Sequence, residues 1–175
     1  MRQILLAVFA ALALSGCVLH ETPPLFTDAD ATLLLGAKPL TLAVFERKHG
    51  AWVASDDPVI TAYPEATHYV VPDPATPNDK TTADRYRFIA LDKGRYIIEA
   101  LAKDEADYAI ATWDGTTLLV SPLDCDALKT HLATNLLVVF ENDSCSLQSS
   151  KLAPKELLAK LLPALKPPEL RLVVK

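Results

Sequence analysis

Between residues 40 and 120 apolar and polar side chains alternate in short runs, and three of these runs fold back at a glycine. The segment PLTLAVFERKHGAWVAS sets two apolar runs around Lys48, His49 and Gly50, where the glycine supplies the positive φ of a tight turn. YRFIALDKGRYIIEAL places Tyr86, Phe88 and Ala90 on one face of a strand, turns through Asp92, Lys93 and Gly94, and returns with Tyr96, Ile98 and Ala100, because residues two apart share a face. YAIATWDGTTLLV turns at Asp114 and Gly115. A two-residue loop there pairs Trp113 with Thr116 and Ile110 with Leu119. Three hairpins in succession predict a mostly antiparallel sheet.

The last third reads differently. Ser121 as cap, Pro122 as first helical residue and Asp124 in the first turn predict a helix start, with Cys125, Leu128 and Leu132 following on one face. Residues 136–140 read as a buried strand, Asn142, Asp143 and Ser144 as a turn, and Cys145 as the start of a short strand. A second helix begins near Pro154, carries Leu157, Leu158, Leu161, Leu162 and Leu165 as a wide apolar stripe, and is stopped by Pro163, Pro167 and Pro168. ELRLVVK closes the chain as a strand. The leucine stripe fits a cover over an apolar sheet face, and with Lys155, Lys160 and Lys166 beside it also a membrane-surface or partner-binding helix. The fold class expected is α+β: roughly eight to ten mostly antiparallel strands, as a hairpin-rich sandwich or barrel, with two short helices in the C-terminal third. Residues 72–77 hold three prolines and read as a surface loop, because proline donates nothing to a ladder.

The chain opens with Met1, Arg2 and Gln3, followed by eleven apolar residues, 4–14. A transmembrane helix needs about 20, and a run this short fits either a buried core helix or a signal; its place after a basic start and before small residues makes a secretory signal the expected reading. Leu14, Ser15, Gly16 and Cys17 follow, and this motif resembles the lipobox of bacterial lipoproteins: a large apolar residue, two small ones and a cysteine. The resemblance covers the first tenth of the chain. It implies a diacylglyceryl group on the Cys17 thiol, cleavage just before it, acylation of the new amine and a membrane-held mature protein. In Gram-negative lipoproteins an aspartate after the cysteine favours inner-membrane retention. Val18 stands here, so the resemblance implies the outer membrane, facing the periplasm. The expected organisation is a signal over residues 1–16, a lipidated tether over 17–32, and one β-rich periplasmic domain over 33–175.

Removing residues 1–16, which carry Arg2 and no acid, takes the formal charge from −5 to −6. An acidic domain gains little from phosphate backbones, so nucleic acid is not an expected partner. With Cys17 lipidated, Cys125 and Cys145 remain as an even pair in a compartment that permits disulfides. Two separate buried thiols are the other reading.

Chemistry is sparse. Of five glycines, none cluster as a phosphate cradle requires. The four histidines, His20, His49, His68 and His131, show no metal-binding spacing, and no metal or other cofactor is expected. Ser121, His131, Asp124 and Asp126 can be drawn as a triad, but Ser121 is wanted as a cap and nothing marks an oxyanion hole. The pairs Asp56 and Asp57, Asp104 and Glu105, Asp124 and Asp126 read as solvated turns, so no catalytic residue is assigned. Tyr86, Phe88, Tyr96, Tyr108 and Trp113 could line one side of a curled sheet, as core or as an apolar pocket. The function expected is a non-enzymatic binding or scaffolding lipoprotein. The alternatives are an apolar small-ligand or lipid carrier with a β-lined pocket, and an envelope hydrolase.

Overall fold

The computed structural model describes residues 19–73, 83–123, 125, 138–141, 144–147, 154–162 and 165–175. Their strands are β1 (His20–Glu21), β2 (Leu40–Lys48), β3 (Ala51–Glu65), β4 (His68–Val71), β5 (Asp84–Asp92), β6 (Arg95–Ala102), β7 (Glu105–Trp113), β8 (Thr117–Pro122), β9 (Val138–Glu141), β10 (Ser144–Leu147) and β11 (Leu170–Val174). A 3-10 turn covers Asp28–Asp30, and helix α1 covers Pro154–Leu161.

Strands β2 to β8 pair in chain order, and β11 inserts between β8 and β2, so eight antiparallel strands close into a barrel. The expected choice between sandwich and barrel falls to the barrel. Eight strands enclose a space just wide enough for side chains to fill. Leu42, Val44, Ala62, Tyr69, Val71, Phe88, Ile98, Ala109, Ala111, Leu118, Val120, Leu170 and Leu172 form one buried cluster drawn from all eight strands, which places it inside. Tyr69 and Phe88 meet there edge to face, with centroids 5.7 Å apart.

The first two predicted hairpins form with two-residue loops: Lys48 pairs with Ala51, and Asp92 with Arg95. Phe88 lies opposite Ile98 and Tyr86 opposite Ala100, as the alternation requires. The third hairpin forms in another register, since Trp113 pairs with Leu118 and Ile110 with Ser121. The Asp114 carboxylate accepts the amides of Thr116 and Thr117 at 2.9 and 2.7 Å, and β7 and β8 pair only from Leu118 onward. That bonding also holds its acidity below the usual carboxylate range. The slip is two residues, so every side chain keeps its face.

Three further expectations need correction. Ser121 and Pro122 do not start a helix; they end β8. β11 pairs with β8 only as far as Val120, so the missing proline amide costs no bond to β11. Of the two expected helices, the second is present as α1, with Leu158 fully buried, while the first falls outside the described residues except for Cys125. Residues 19–32 are not a free tether: Leu19 is fully buried, β1 pairs with β7, and Ala31 bridges Ile89.

That segment belongs to an outer layer. Leu19, Phe26, Ile89, Ile97, Ala106, Tyr108, Ile110, Leu123, both cysteines and Leu158 form a second buried cluster. It takes barrel residues only from β5 to β7, from positions alternating with the interior ones. One flank of the wall is therefore buried on both faces, covered by the N-terminal segment, Cys145 of β10 and α1.

Candidate functional site

The site with the most polar structure lies under this outer layer. Arg87 and Glu99 face each other across β5 and β6 on the outward face, and the chain over residues 25–28 covers them. Glu99 is completely buried and Arg87 is 6% exposed. Arg87 Nε sits 2.8 Å from Glu99 Oε2, and its Nη1 donates to Asp28 Oδ1 at 3.0 Å. Tyr108 donates from its hydroxyl to Glu99 Oε1 at 2.7 Å and accepts the Leu25 amide at 2.7 Å. The Phe26 amide also points at Glu99 Oε1, at 3.4 Å. Burial, reinforced by the Glu99 carboxylate, raises the Tyr108 hydroxyl well above its ordinary range despite the Leu25 amide. It stays a neutral donor. Chemically the network is a latch, in which a buried ion pair and a phenol hold the backbone of residues 25–28 onto the barrel. Tyr108 was expected on the face of the other aromatics, but it points outward while Phe88 belongs to the interior cluster and Tyr86, Tyr96 and Trp113 pack against it.

From the latch the chain runs to one end of the barrel. The Thr32 amide donates to the Phe88 carbonyl at 2.7 Å. Leu33, Leu34 and Leu35 then pack on the interior cluster. The Tyr69 hydroxyl accepts the Leu35 amide at 2.9 Å and donates to the Gly36 carbonyl at 2.8 Å. Gly36 has φ +90°, a conformation glycine adopts at little cost. These leucines cap the end where the β3–β4, β5–β6 and β7–β8 turns lie.

The opposite end carries acids. Asp84 opens β5, and burial pushes its carboxyl up to about 6; the Tyr86 hydroxyl bonded to it works against that rise and the charge of Asp73 adds to it. Stability from this group is fully present below pH 3.8, its ordinary value, and is lost as pH rises through 6. Asp84→Asn, which keeps an acceptor for Tyr86, is expected to flatten the pH dependence of unfolding between about 4 and 6. At pH 7 it should stabilise by on the order of 1 kcal/mol, allowing for the carboxyl's contact with solvent. Urea titrations at pH 4 and 7 check this, and equal pH slopes in both proteins contradict it. His20 in β1 bonds Asp107 at 2.9 Å and lies 3.4 Å from Glu105, all three partly exposed.

Cys125 and Cys145 form a disulfide with Cα atoms 5.8 Å apart, both buried in the outer layer. It ties the chain beyond β8 to β10. Leu19 bridges Cys145, donates its amide to the Leu123 carbonyl and accepts the Tyr108 amide, each at 3.1 Å. Cys17 itself, and the drawn triad members Asp124, Asp126 and His131, lie outside the described residues; Ser121 sits in β8, opposite Ile110. Among the described residues no three His, Cys, Asp or Glu side chains are grouped to hold a metal ion, and no helix is long and apolar enough to cross a membrane.

Sequence reasoning missed the latch. A signal for it existed: on the second face of β5 and β6, Ile89, Leu91, Ile97 and Leu101 accompany Arg87 and Glu99, marking that face as covered rather than wet. Comparison of the chain with known protein families, curated proteins and solved structures finds no match in any of the three.

Proposed function

We propose that the protein is a lipid-anchored envelope lipoprotein of non-enzymatic binding or scaffolding type, held flank-on against the membrane by an acylated Cys17 and facing the periplasm from the outer membrane. The observation that supports this most is the clamping of Leu19, two residues after Cys17, by hydrogen bonds on both sides and complete burial. Two residues of chain span at most about 7 Å. An anchor there sets the orientation of the barrel, because no free tether separates them. Several acyl chains, at about 0.8 kcal/mol per buried methylene, hold such a protein stably. The buried ionisable groups Arg87, Glu99 and Tyr108 hold the protein's own N-terminal segment, which fits a structural module better than a catalytic one.

Metabolic labelling with an alkynyl fatty acid is expected to mark the wild-type chain and leave Cys17→Ser unlabelled and released from membranes. An unlabelled wild type, or a mature form that still begins at Met1, overturns the proposal.

The closed eight-stranded barrel with an apolar interior also favours a carrier of a small apolar ligand or lipid. Its interior side chains are almost entirely buried against one another, so this reading requires the leucine cap to move. Native mass spectrometry of the purified chain separates the two: a bound apolar guest supports carriage, and an empty barrel that stays empty with added palmitate rejects it.

A further inference from the structure

Residues 33–39 close one end of the barrel and join two fixed points. At the first, the Thr32 amide donates to the Phe88 carbonyl at 2.7 Å and Ala31 bridges Ile89; at the second, Leu40 enters β2 opposite Ala62. Among the described residues, no strand pairs with this segment, and its hydrogen bonds to the barrel both run to the Tyr69 hydroxyl, which accepts the Leu35 amide and donates to the Gly36 carbonyl. Leu33, Leu34 and Leu35 are only partly buried and residues 36–39 are exposed, whereas Leu19 and Phe26 upstream are sealed into the outer layer. Few buried contacts and few bonds let such a segment open locally, ahead of the rest of the fold.

What lies beneath it is apolar. The three leucines pack on the interior cluster together with Tyr96, Trp113 and Val174, which stand at or beside the ends of β6, β7 and β11 on this rim. Tyr69 belongs to the same interior, since it is 1% exposed and its ring meets Phe88. The segment is therefore held shut by the tip of a core side chain, and a displacement of the Tyr69 and Phe88 rings is felt at both bonds. The barrel strands that lead into undescribed residues do so from Val71, Asp84, Pro122 and Leu170, all at the other end.

We propose that residues 33–39 are a gate, hinged at Thr32 and Leu40 and held shut by Tyr69, whose leucines keep the place that the apolar chain of a guest takes when the gate swings out. The inference rests on the carrier reading and says where such a guest enters. Guest and leucines compete for one apolar end, so apparent affinity is reduced by the fraction of molecules in which the gate is closed. The opposite end is the poorer entrance for a fatty acid, because Asp84, Glu105 and Asp107 stand at the strand ends there and a carboxylate head meets like charge.

The test combines amide exchange with uptake of cis-parinaric acid, a fluorescent fatty acid, by the purified full chain. The Leu35 amide is expected to exchange faster than the Ile97 amide of the barrel wall and to respond little to low urea, because a local opening exposes little surface. Tyr69→Phe keeps the ring on Phe88 and removes both bonds, so it should speed Leu35 exchange about tenfold, as two bonds of modest net strength allow. Uptake of the fatty acid should quicken by the same factor, and the bound acid should leave the Leu35 amide unprotected. Leu35 exchange with the urea dependence of Ile97 means that the segment opens only with the whole barrel, which overturns the gate. Uptake indifferent to Tyr69→Phe, or a bound acid that leaves Leu35 protected, places the entrance elsewhere and overturns the gate while carriage survives. A segment that opens as expected yet takes up no fatty acid in either protein overturns carriage itself, and with it the guest.

Discussion

Glu99→Ala is expected to lower the unfolding free energy by about 3–5 kcal/mol, the range for removing one partner of a buried ion pair. Arg87 is 6% exposed, and the variant leaves its guanidinium with only the exposed Asp28 carboxylate still paired to it. It also removes the acceptor of the Tyr108 hydroxyl and the Phe26 amide. Most of the loss is the cost of a stranded charge rather than the worth of the pair. The double variant Arg87→Met, Glu99→Leu should therefore recover most of the lost stability, as apolar replacements of buried pairs do. Urea unfolding of wild type, single and double variants reads this directly. A single variant within 1 kcal/mol of wild type, or a double variant no better than the single, contradicts a buried pair under the N-terminal segment. Hydrogen exchange adds a local readout, because the amides of Leu25 and Phe26 lose their anchor and should exchange faster in Glu99→Ala.

Breaking the Cys125–Cys145 disulfide is expected to cost about 3 kcal/mol, from a sequence separation of 20 residues. For a domain of this size that lowers Tm by about 6–12 °C. Two features make a smaller effect unexpected. β9 and β10 form a two-stranded sheet of their own, and such a hairpin is marginal without a neighbour to pack on. Cys145 also bridges Leu19, so loosening β10 loosens the entry of the N-terminal segment. Thermal unfolding with and without reductant, and of Cys125→Ser with Cys145→Ser, measures the effect; unchanged melting contradicts it. The chain should accordingly be more robust in an oxidising compartment than in a reducing one.

Elements set by neighbouring residues were legible. His49 and Gly50, both at positive φ, make the first hairpin, and the alternation through Phe88 and Ile98 sets the faces of the second. The Asp114 turn shows the limit of such reading: its carboxylate reaches two amides ahead, and the register moved by two without changing any face. Pro122 suits the first turn of a helix, yet it equally suits the end of a strand, and the local sequence carries no preference between the two. The outward turn of Tyr108 is hidden in the sequence for a different reason. Alternation says which residues share a face of one strand, and it cannot say which face turns inward when both are apolar.

The hairpins, the closing strand, the leucine-striped helix and the availability of two cysteines for one another are legible along the chain, because each depends on turn chemistry, on period or on a count within a short stretch. The insertion of β11 between β8 and β2, the wrapping of residues 19–36 around the wall and over one end, and the meeting of Arg87 with Glu99 beneath them emerge with the folded barrel. Those contacts join residues far apart in the chain, and their energies come from burial on a surface that exists only after the barrel has closed.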